Sequence, residues 1–563
     1  SNAWSFGRVR RLEVVTRVVL GDLAGTGNNL ITFGPQRIKL RRRQYIGYDD
    51  VTVFVIAGDI SIRNHQNASS AVWNCQQYRR FPIRALMRER VRSHRAVQCR
   101  NIHTNHSPRL ERMSIEFSSV HALSEQLAQG QVTARQIVSV FLERIARHNP
   151  KLHAFVTDYR DEALSLADGA DAQFAAGHRV SALQGIPIAI KDIIDMQGRV
   201  TTGGSRVWSD RVSPTTAPLV ERLRDAGMIV LGKTHTVEFA MGGWGTNSAM
   251  GTPHNPWDLD VHRAPGGSSS GSGVAVGAGL APCAIGTDTG GSVRLPASWN
   301  GLTGLKTTIG AVSCDGVLPL AHTLDTPGPL CRDAVDAELI FAALQGRTPT
   351  SSASRQDTVA GLRLATRSAD EREQVDADVL AAYDEFVAQL QAAGAETAPL
   401  QMPMTVEQMG VDVGRIISAE GYSYVGYLTD DEAQPVDRDV RPRIAPGRTT
   451  SAFDYLKLLR ERAAQTRAIN AMMQDFDAWL TPGTCTPPPP IASIDQSTSP
   501  AVFTRPINYL HWCALVMPSG YTNTGLPLSV QVACPGNQEA MALRIGRVFQ
   551  SMTDWHTRTP TGL

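Results

Sequence analysis

The stretch that decides the fold of this chain runs from Pro265 to Ser292 and reads PGGSSSGSGVAVGAGLAPCAIGTDTGGS. It opens with a Gly/Ser-rich turn, continues with small apolar residues and closes with a second Gly-Gly-Ser. A flexible linker would be flanked by polar sequence, whereas Val274–Leu280 is apolar and is predicted to be packed. The stretch therefore predicts two glycine-rich loops joined by a buried segment, with Ser268 and Ser292 as candidate chemical groups.

A short apolar run upstream, Ile186–Ile190, predicts a buried strand that ends at Lys191. Pro187 fits this prediction because proline is tolerated at the first residue of a strand. Burial disfavours the charged form of a lysine, lowers its pKa and makes the amine a proton acceptor. The alternative is a lysine at a strand end with its ammonium group in solvent, since buried lysines are rare.

The closing loop, Thr287–Ser292, contains consecutive glycines. Glycines let backbone N–H groups turn towards one point, as the stabilisation of an oxyanion requires; an ordinary tight turn is the alternative. Gly267–Gly271 also matches G-x-S-x-G, which would make Ser269 the nucleophile of an α/β-hydrolase. We interpret that match as accidental because Asp258–Pro265 is a poor strand. A lysine with two glycine-flanked serines indicates a hydrolase that uses lysine as its base.

Together these segments resemble the amidase signature family. That family follows a lysine at the end of an apolar strand with P-G-G-S-S-G-G-S and then G-[ST]-D-T-G-G-S-[IV]-R-x-P-A. The two motifs match Pro265–Ser272 and Gly286–Ala297, and the resemblance extends from Met113 to Pro560. Further similar segments are Leu231–Thr234, Glu238–Gly242, Asn255–Asp258, Gly304–Thr307, Thr323–Pro329 and Gly525–Pro527 with Gln531.

The resemblance implies a role for each candidate residue. Ser292 is the implied nucleophile, Lys191 the general base, and Ser268 the serine that relays a proton between them. The peptide bond Gly267–Ser268 is implied to be cis, which costs about 2.5–4 kcal/mol for a residue other than proline. The implied oxyanion donors are the backbone N–H groups of Thr289, Gly290, Gly291 and Ser292. The resemblance implies neither a metal nor another cofactor.

One position departs from the family pattern. The family usually has glycine where this chain has Ser270. If the position needs a positive φ, serine would be strained there. We expect the variation to be tolerated because Lys191, Ser268 and Ser292 are all present.

The resemblance implies an α/β fold in which residues 113–563 form a single large domain. Its central sheet is expected to be mixed, mostly parallel and covered by helices. Locally, Thr133–Gln136 is a capping box for a helix that Asn149–Pro150 should end. Residues 217–227 are predicted to be helical, 228–231 a strand, and 430–450 and 484–500 loops. Tyr422, Tyr424 and Trp512 are weak candidates for pocket residues, with ordinary packing as the alternative.

The net charge of +2 hides an asymmetry. Residues 1–112 contain 20 Lys and Arg residues but 7 Asp and Glu residues. A basic arm can bind nucleic acid or act as a targeting segment, but this one lacks the aromatic and motif pattern of a nucleic-acid module. Ser1–Ala3 match the remnant of a cleaved tag and are excluded from the fold prediction. We expect residues 1–112 to be an Arg-rich extension upstream of a native sequence that begins at Met113.

Composition narrows the class further. No apolar run approaches the roughly 18 residues of a membrane span, so no membrane association is expected. The eight cysteines include no C-x-x-C pair, which favours reduced thiols in the cytoplasm and disfavours a zinc site. The 14 histidines form no ligand motif. We expect a small-molecule amide substrate and no nucleic-acid partner. The sequence leaves open whether the protein forms a homodimer.

Three functions are compatible with these features. The first is a free-standing amidohydrolase that cleaves a carboxamide or urea-like C–N bond through an acyl-enzyme on Ser292. The second is the amidase subunit of a tRNA-dependent amidotransferase, in which released ammonia passes to a partner. The third is a non-catalytic homologue, which the intact triad disfavours. The segment Gly316–Leu320 followed by Thr323–Thr326 resembles the hydrolases more than that subunit, which favours the first function.

Overall fold

A computed structural model describes residues 51–56, 59–64, 70–74, 115–350, 357–367 and 375–563. The chain divides into two compact units, Ser1–Arg109 and Leu110–Leu563. In the first unit, β1 (Val51–Ile56), β2 (Asp59–Asn64) and β3 (Ser70–Asn74) form an antiparallel sheet. The predicted boundary between residues 112 and 113 lies outside the described residues.

The described part of the second unit contains eleven strands and thirteen α-helices. The strands are β4 (Phe155–Asp158), β5 (Pro187–Lys191), β6 (Ile229–Thr234), β7 (Ala284–Asp288), β8 (Thr303–Lys306), β9 (Thr326–Cys331), β10 (Arg363–Thr366), β11 (Glu396–Pro399), β12 (Ala478–Pro482), β13 (Cys513–Tyr521) and β14 (Pro527–Cys534). The helices are α1 (Val120–Ala128), α2 (Ala134–Leu152), α3 (Arg160–Ala175), α4 (Pro218–Asp225), α5 (Ser270–Gly277), α6 (Arg294–Trp299), α7 (Ala334–Leu344), α8 (Ala377–Ala392), α9 (Val406–Asp430), α10 (Arg441–Ile444), α11 (Ala452–Met472), α12 (Arg505–Tyr509) and α13 (Glu539–Met552).

All eleven strands belong to one sheet, in the order β11-β10-β12-β14-β13-β8-β9-β7-β5-β6-β4. Strand β5 pairs in parallel with β6 and β7, and β10 with β11 and β12. The other six pairings are antiparallel. The predicted α/β class and mixed sheet are confirmed, but the prediction of a mostly parallel sheet is wrong. Short connections such as residues 522–526, between β13 and β14, turn the chain back on itself, and parallel strands need longer crossovers.

The glycine-rich stretch is a packed helix and not a linker. Every residue of α5 is buried, and the helix lies against β5 and β7. A methyl group on Gly271 would lie 2.3 Å from the Ala154 carbonyl oxygen and 2.4 Å from the His235 nitrogen, so this close approach requires glycine. Ser270 is the first residue of α5, where the backbone is right-handed, so serine is not strained there.

Local predictions from sequence agree with the structure in type but shift at the boundaries. The capping box is present, since Thr133 and Gln136 each bond the backbone N–H of the other. Helix α2 continues past Pro150 to Leu152 and ends where His153 adopts a left-handed conformation. The predicted helix and strand near residue 225 are α4 and β6. The loop predicted over 430–450 contains α10 and a 3₁₀ helix, Ala445–Thr449, whereas 484–500 is irregular except for Ile491–Ser493.

In the described part of the chain, no helix is long and apolar enough to cross a membrane. Six cysteines there carry free thiols: Cys283, Cys314, Cys331, Cys485, Cys513 and Cys534. Cys75 and Cys99 lie outside the described residues.

Candidate active site

Lys191 ends strand β5 with its side chain fully buried. Its Nζ lies 2.7 Å from Ser268 Oγ and 2.8 Å from Thr287 Oγ1. The predicted burial is confirmed, and the alternative of an ammonium group in solvent is wrong. Burial lowers the pKa of Lys191 to about 7, against the carboxylates of Asp325 and Asp288, which favour the charged form. Near neutral pH a large fraction of this amine is therefore uncharged and able to accept a proton.

Ser268 lies in the turn before α5, fully buried, and its peptide bond with Gly267 is cis. Its carbonyl oxygen accepts hydrogen bonds from the Val237 N–H at 3.1 Å and the Thr236 hydroxyl at 3.0 Å. These bonds fix the turn while the side-chain hydroxyl contacts Lys191. The structure therefore brings together two of the three residues that the sequence predicted to act as a unit.

Ser292 lies in the loop between β7 and α6, 7% exposed, on the wall of a cavity. Its carbonyl oxygen accepts the Ser269 N–H at 3.3 Å, which ties this loop to the turn that carries Ser268. Ser269 itself is fully buried, and its hydroxyl contacts the Thr287 backbone at 3.2 and 3.3 Å. Ser269 therefore holds β7 against α5, as expected if its G-x-S-x-G match is accidental.

The N–H groups predicted to form an oxyanion hole divide into two sets. Thr289, Gly290 and Ser292 line the cavity. The Gly291 N–H instead donates to Asp288 Oδ1 at 2.9 Å. Gly291 is required for a different reason: its φ is 132°, and a side chain there would meet the Thr504 hydroxyl. The hydroxyl of Thr504 also bonds the Gly290 carbonyl oxygen at 2.8 Å.

A buried ion pair between Asp288 and Arg294 stabilises the loop that carries Ser292. Arg294 Nη2 lies 2.8 Å from Asp288 Oδ1, and Arg294 Nε lies 3.0 Å from Asp288 Oδ2. Arg294 also donates to Gln531 Oε1 at 2.7 Å and to Asn508 Oδ1 at 2.6 Å. Burial alone would raise the pKa of Asp288, but the Arg294 guanidinium holds it well below its usual range. The loop therefore rests on a carboxylate that stays charged.

A second carboxylate lies behind Thr289. Asp325 Oδ1 accepts the Thr289 hydroxyl at 2.5 Å, and Asp325 Oδ2 accepts the N–H groups of Leu320 and Ala321 at 3.0 Å each. Burial raises the pKa of Asp325 to about 6, although these hydrogen bonds stabilise its charged form. Asp325 thus positions Thr289 and adds negative charge near Lys191.

The cavity in front of Ser292 has a volume of about 380 Å³. Glycines and other small residues make up much of its lining, and two arginines, Arg443 and Arg505, also line it. Among the described residues, no aspartate or glutamate lines it. The lining residues are Ala240, Met241, Gly242, Gly243, Thr289, Gly290, Ser292, Leu295, Leu320, Gly414, Ile417, Ser418, Pro442, Arg443, Pro446, Ser497, Thr498, Ser499, Ala501 and Arg505.

Outside this site, three side chains in the described part of the chain are close enough to hold a metal ion: His121, Asp333 and Asp336. His121 Nδ1 lies 3.0 Å from Asp336 Oδ1 and 3.4 Å from Asp333 Oδ2. Asp336 also accepts the Val120 and His121 N–H groups, so the cluster satisfies itself as a junction between α1 and α7. His121 is 215 positions from Asp336, and no ligand motif in the sequence links it to the two aspartates.

Comparison with known proteins identifies the family of this chain. A family model described as Amidase matches residues 136–543, more than half of the chain. The chain belongs to the amidase signature family. The resemblance deduced from the two glycine-rich motifs is thereby confirmed, and the eleven-stranded mixed sheet is the amidase signature fold.

Two curated relatives are about equally similar to this chain. It is 34% identical over 484 residues to one subunit of the glutamyl-tRNA(Gln) amidotransferase of Geobacter metallireducens, covering 78% of this chain and 98% of that protein. It is 34% identical over 450 residues to the 2-amino-5-chloromuconic acid deaminase of Comamonas testosteroni, covering 78% of this chain and 97% of that protein. The first relative is named as part of an amidotransferase, whereas the second is named for its own reaction, so similarity does not choose between these two kinds of protein.

A solved structure gives the same architecture. This chain has a TM-score of 0.71 and 29% identity with a structure from a vestigial protein complex that reveals the evolutionary origins of an s-triazine catabolic enzyme. The match covers 77% of this chain and 98% of that one.

The residues predicted from the sequence to line the cavity differ from those that the structure places there. Tyr422, Tyr424 and Trp512 are absent from its lining, and Trp512 is fully buried with its indole N–H donating to Asn470 at 2.7 Å. Arg443 and Arg505 do line it, but they lie in segments without a motif. Asp288 and Arg294 were within the matched motif, where a buried acid and base six residues apart could have suggested an ion pair.

Proposed function

We propose that this protein hydrolyses an amide through an acyl-enzyme on Ser292. The neutral amine of Lys191 accepts the proton of Ser268 while Ser268 takes that of Ser292, and Ser292 Oγ bonds to the carbonyl carbon. The oxyanion that forms accepts the N–H groups of Thr289 and Gly290. The C–N bond then breaks, and the leaving nitrogen takes the proton back through Ser268. Water attacks the acyl-enzyme by the same relay and frees the acid.

The observation that carries this proposal is the buried contact between Lys191 Nζ and Ser268 Oγ at 2.7 Å. A lysine in water stays protonated near neutral pH, whereas this one has a pKa of about 7 because it is buried. A general base works best when its pKa is close to the working pH. The same amine can then serve as base in one step and as acid in the next. The proposed chemistry requires no metal or cofactor.

A second candidate shares this chemistry but differs in the fate of the ammonia. The Geobacter relative is named as one subunit of a glutamyl-tRNA(Gln) amidotransferase. If this chain has the same role, its amide substrate is an ammonia donor, and a partner protein consumes the ammonia. Ser292, Ser268 and Lys191 would keep the same roles.

The test is ammonia release by the purified chain alone. The panel contains glutamine, short aliphatic and aryl amides, malonamide, biuret and allophanate, and Ser292→Ala is the control. Release that disappears in Ser292→Ala supports a serine amidase and identifies its substrate class. Release from glutamine that needs a co-purified partner supports the amidotransferase role. A correctly folded chain that releases no ammonia in either setting would overturn both candidates.

A further inference from the structure

Two arginines line the cavity without an acidic residue beside them in its wall. Each carries a charge that is partly removed from water, which is costly unless the charge is paired or fully hydrogen-bonded. The two arginines differ in how many hydrogen bonds the protein makes to their guanidinium groups.

Arg443 is held by the protein itself. Its guanidinium donates to the Met241 carbonyl oxygen at 3.1 Å, to the Gln496 carbonyl oxygen at 2.9 Å and to Gln496 Oε1 at 2.7 Å. The carboxylates of Asp437 and Asp439 lie near enough to favour its charge. Arg443 therefore joins three segments of the cavity wall, and most of its hydrogen-bonding capacity is used.

Arg505 is not satisfied in this way. Its Nη1 donates to the Gly410 carbonyl oxygen at 3.2 Å, and among the described residues no carboxylate lies within ion-pair distance. Burial and the positive charge of Arg443 lower its pKa to about 10, so it stays protonated at neutral pH. A guanidinium has five N–H donors in a planar fork that matches a carboxylate. Most of that fork is available to a ligand in the cavity.

Arg505 also lies beside the proposed oxyanion donors. A methyl group on Gly290 would be 3.4 Å from Arg505 Cγ and 3.8 Å from Arg505 Nε, and one on Gly414 would be 3.5 Å from Arg505 Nη1. Glycine at both positions leaves the guanidinium open on the cavity side. A substrate that places an anionic group there and its carbonyl oxygen at the Gly290 N–H would therefore have only a few bonds between these two groups.

We propose that the substrate is a short amide that carries a carboxylate, and that Arg505 binds this carboxylate and sets the specificity. The inference rests on the proposed function, because it assigns the substrate of the same site. Glutamine and the monoamides of short dicarboxylic acids both have this chemistry. They differ in the α-amino group, for which no carboxylate is present in the described cavity wall.

The first test compares succinamate with succinamide, which differs from it by replacement of the carboxylate with a neutral amide; glutamine is the third substrate. Wild-type kcat/KM is expected to be about 10- to 100-fold higher for succinamate, as for a hydrogen bond to a charged group. Arg505→Met should abolish this preference chiefly by raising KM for succinamate, and Arg505→Lys should restore part of it. Arg415→Met is the matched control, since Arg415 is exposed on α9 and outside the cavity lining; it should keep the preference.

The second test measures binding without turnover. Calorimetry of succinamate with Ser292→Ala should show binding that weakens at least about tenfold in Ser292→Ala/Arg505→Met. If no amide is hydrolysed but this Arg505-dependent binding persists, the proposed function fails and the carboxylate subsite stands. If the wild type hydrolyses succinamate and succinamide with equal kcat/KM, or if Arg505→Met lowers kcat/KM equally for both, the carboxylate subsite is refuted and the amidase activity stands.

Discussion

Lys191 shows at the scale of one residue how burial changes the pKa of an amine. Desolvation lowers its pKa, while Asp325 and Asp288 limit the shift by favouring the charged form. The surrounding hydroxyls of Ser268 and Thr287 satisfy the amine whether or not it is charged. The protein thus keeps a lysine in its core that can exchange a proton near neutral pH.

The first prediction concerns pH. Because the neutral amine is the active form in the proposed mechanism and its pKa is about 7, kcat/KM for the best amide should rise with pH through about 7 and level off above it. Asp325→Asn removes a negative charge that holds this pKa up, so the rise should move to lower pH. Lys191→Met should lower kcat/KM by about 10²–10⁴-fold at every pH. A profile that is flat between pH 5 and 9 would contradict the assignment of Lys191 as the base.

At the scale of elements, α5 depends on its glycines. The helix lies so close to the segments that contain Ala154 and His235 that the Cβ position of Gly271 falls among their backbone atoms. Backbone cannot move aside as a flexible side chain can, so the spacing between α5 and its neighbours is set by the absence of a side chain.

The second prediction is that Gly271→Ala lowers the free energy of unfolding by about 1–3 kcal/mol or prevents folding, as overpacking does. Urea unfolding followed by circular dichroism measures it. Gly169→Ala is the matched control: this glycine lies in α3 with no atom within 4 Å of its Cβ position, so alanine should stabilise the helix by about 0.5–1 kcal/mol. Equal effects of the two substitutions would show that packing at Gly271 is not the constraint.

At the scale of the whole molecule, the ion pair of Asp288 and Arg294 connects distant parts of the chain. Arg294 is 214 positions from Asn508 and 237 from Gln531, and it contacts both. The Ser292 loop is therefore supported jointly by its own helix, α12 and β14.

The third prediction follows from this connection. Asp288→Asn leaves Arg294 buried without its counter-charge and should lower the free energy of unfolding by about 3–5 kcal/mol. It should also impair amide hydrolysis, since the Gly291 N–H loses its charged acceptor. Glu461→Gln is the control, because Glu461 and Lys457 form an exposed pair on α11 whose loss should cost less than about 1 kcal/mol. If chemical denaturation gave the two variants the same stability, the supporting role of Asp288 would be disproved.

The fourth prediction concerns residues 1–112. We propose that they are dispensable, since the amidase match begins at residue 136 and the second compact unit at Leu110. A chain that begins at Met113 should keep the thermal unfolding temperature and the amide-hydrolysis rate of the full chain. Loss of folding or of activity on removal of residues 1–112 would refute this proposal, and a variant lacking only residues 1–50 would then locate the requirement.

The sequence predicted those parts of the fold that short patterns encode. The apolar run before Lys191 and the capping box at Thr133 are each specified within a few residues, so both could be located in advance. The two glycine-rich motifs identified the family, and with it the cis peptide before Ser268. The prediction of a mostly parallel sheet was wrong because a local pattern identifies a strand but not its neighbours. The direction of each pairing depends on which strands lie side by side in the folded sheet.

The cavity could not be predicted in the same way, because its wall is assembled from separate segments. Thr289 contacts Asp325, and Gly290 contacts Arg505, only after the sheet has formed. The sequence around Asp325 and around Arg505 contains no pattern that predicts these contacts. A single acid or arginine becomes informative only when its partners in the fold are known. The hydrogen bond from the Gly291 N–H to Asp288 was not predicted for the same reason: the two residues are close in sequence, but the turn that joins them is visible only in three dimensions.

The reach of Arg294 to Asn508 and Gln531 has a consequence for biosynthesis. A ribosome that has translated the first three hundred residues has already produced Lys191, Ser268 and Ser292, yet the side chains that hold Arg294 from the other side do not exist. The loop that carries Ser292 can therefore reach its final arrangement only after α12 and β14 have been synthesised. Under the proposed function, a nascent chain that does not yet include Gln531 would be unable to hydrolyse an amide, although it already contains all three residues of the proposed relay.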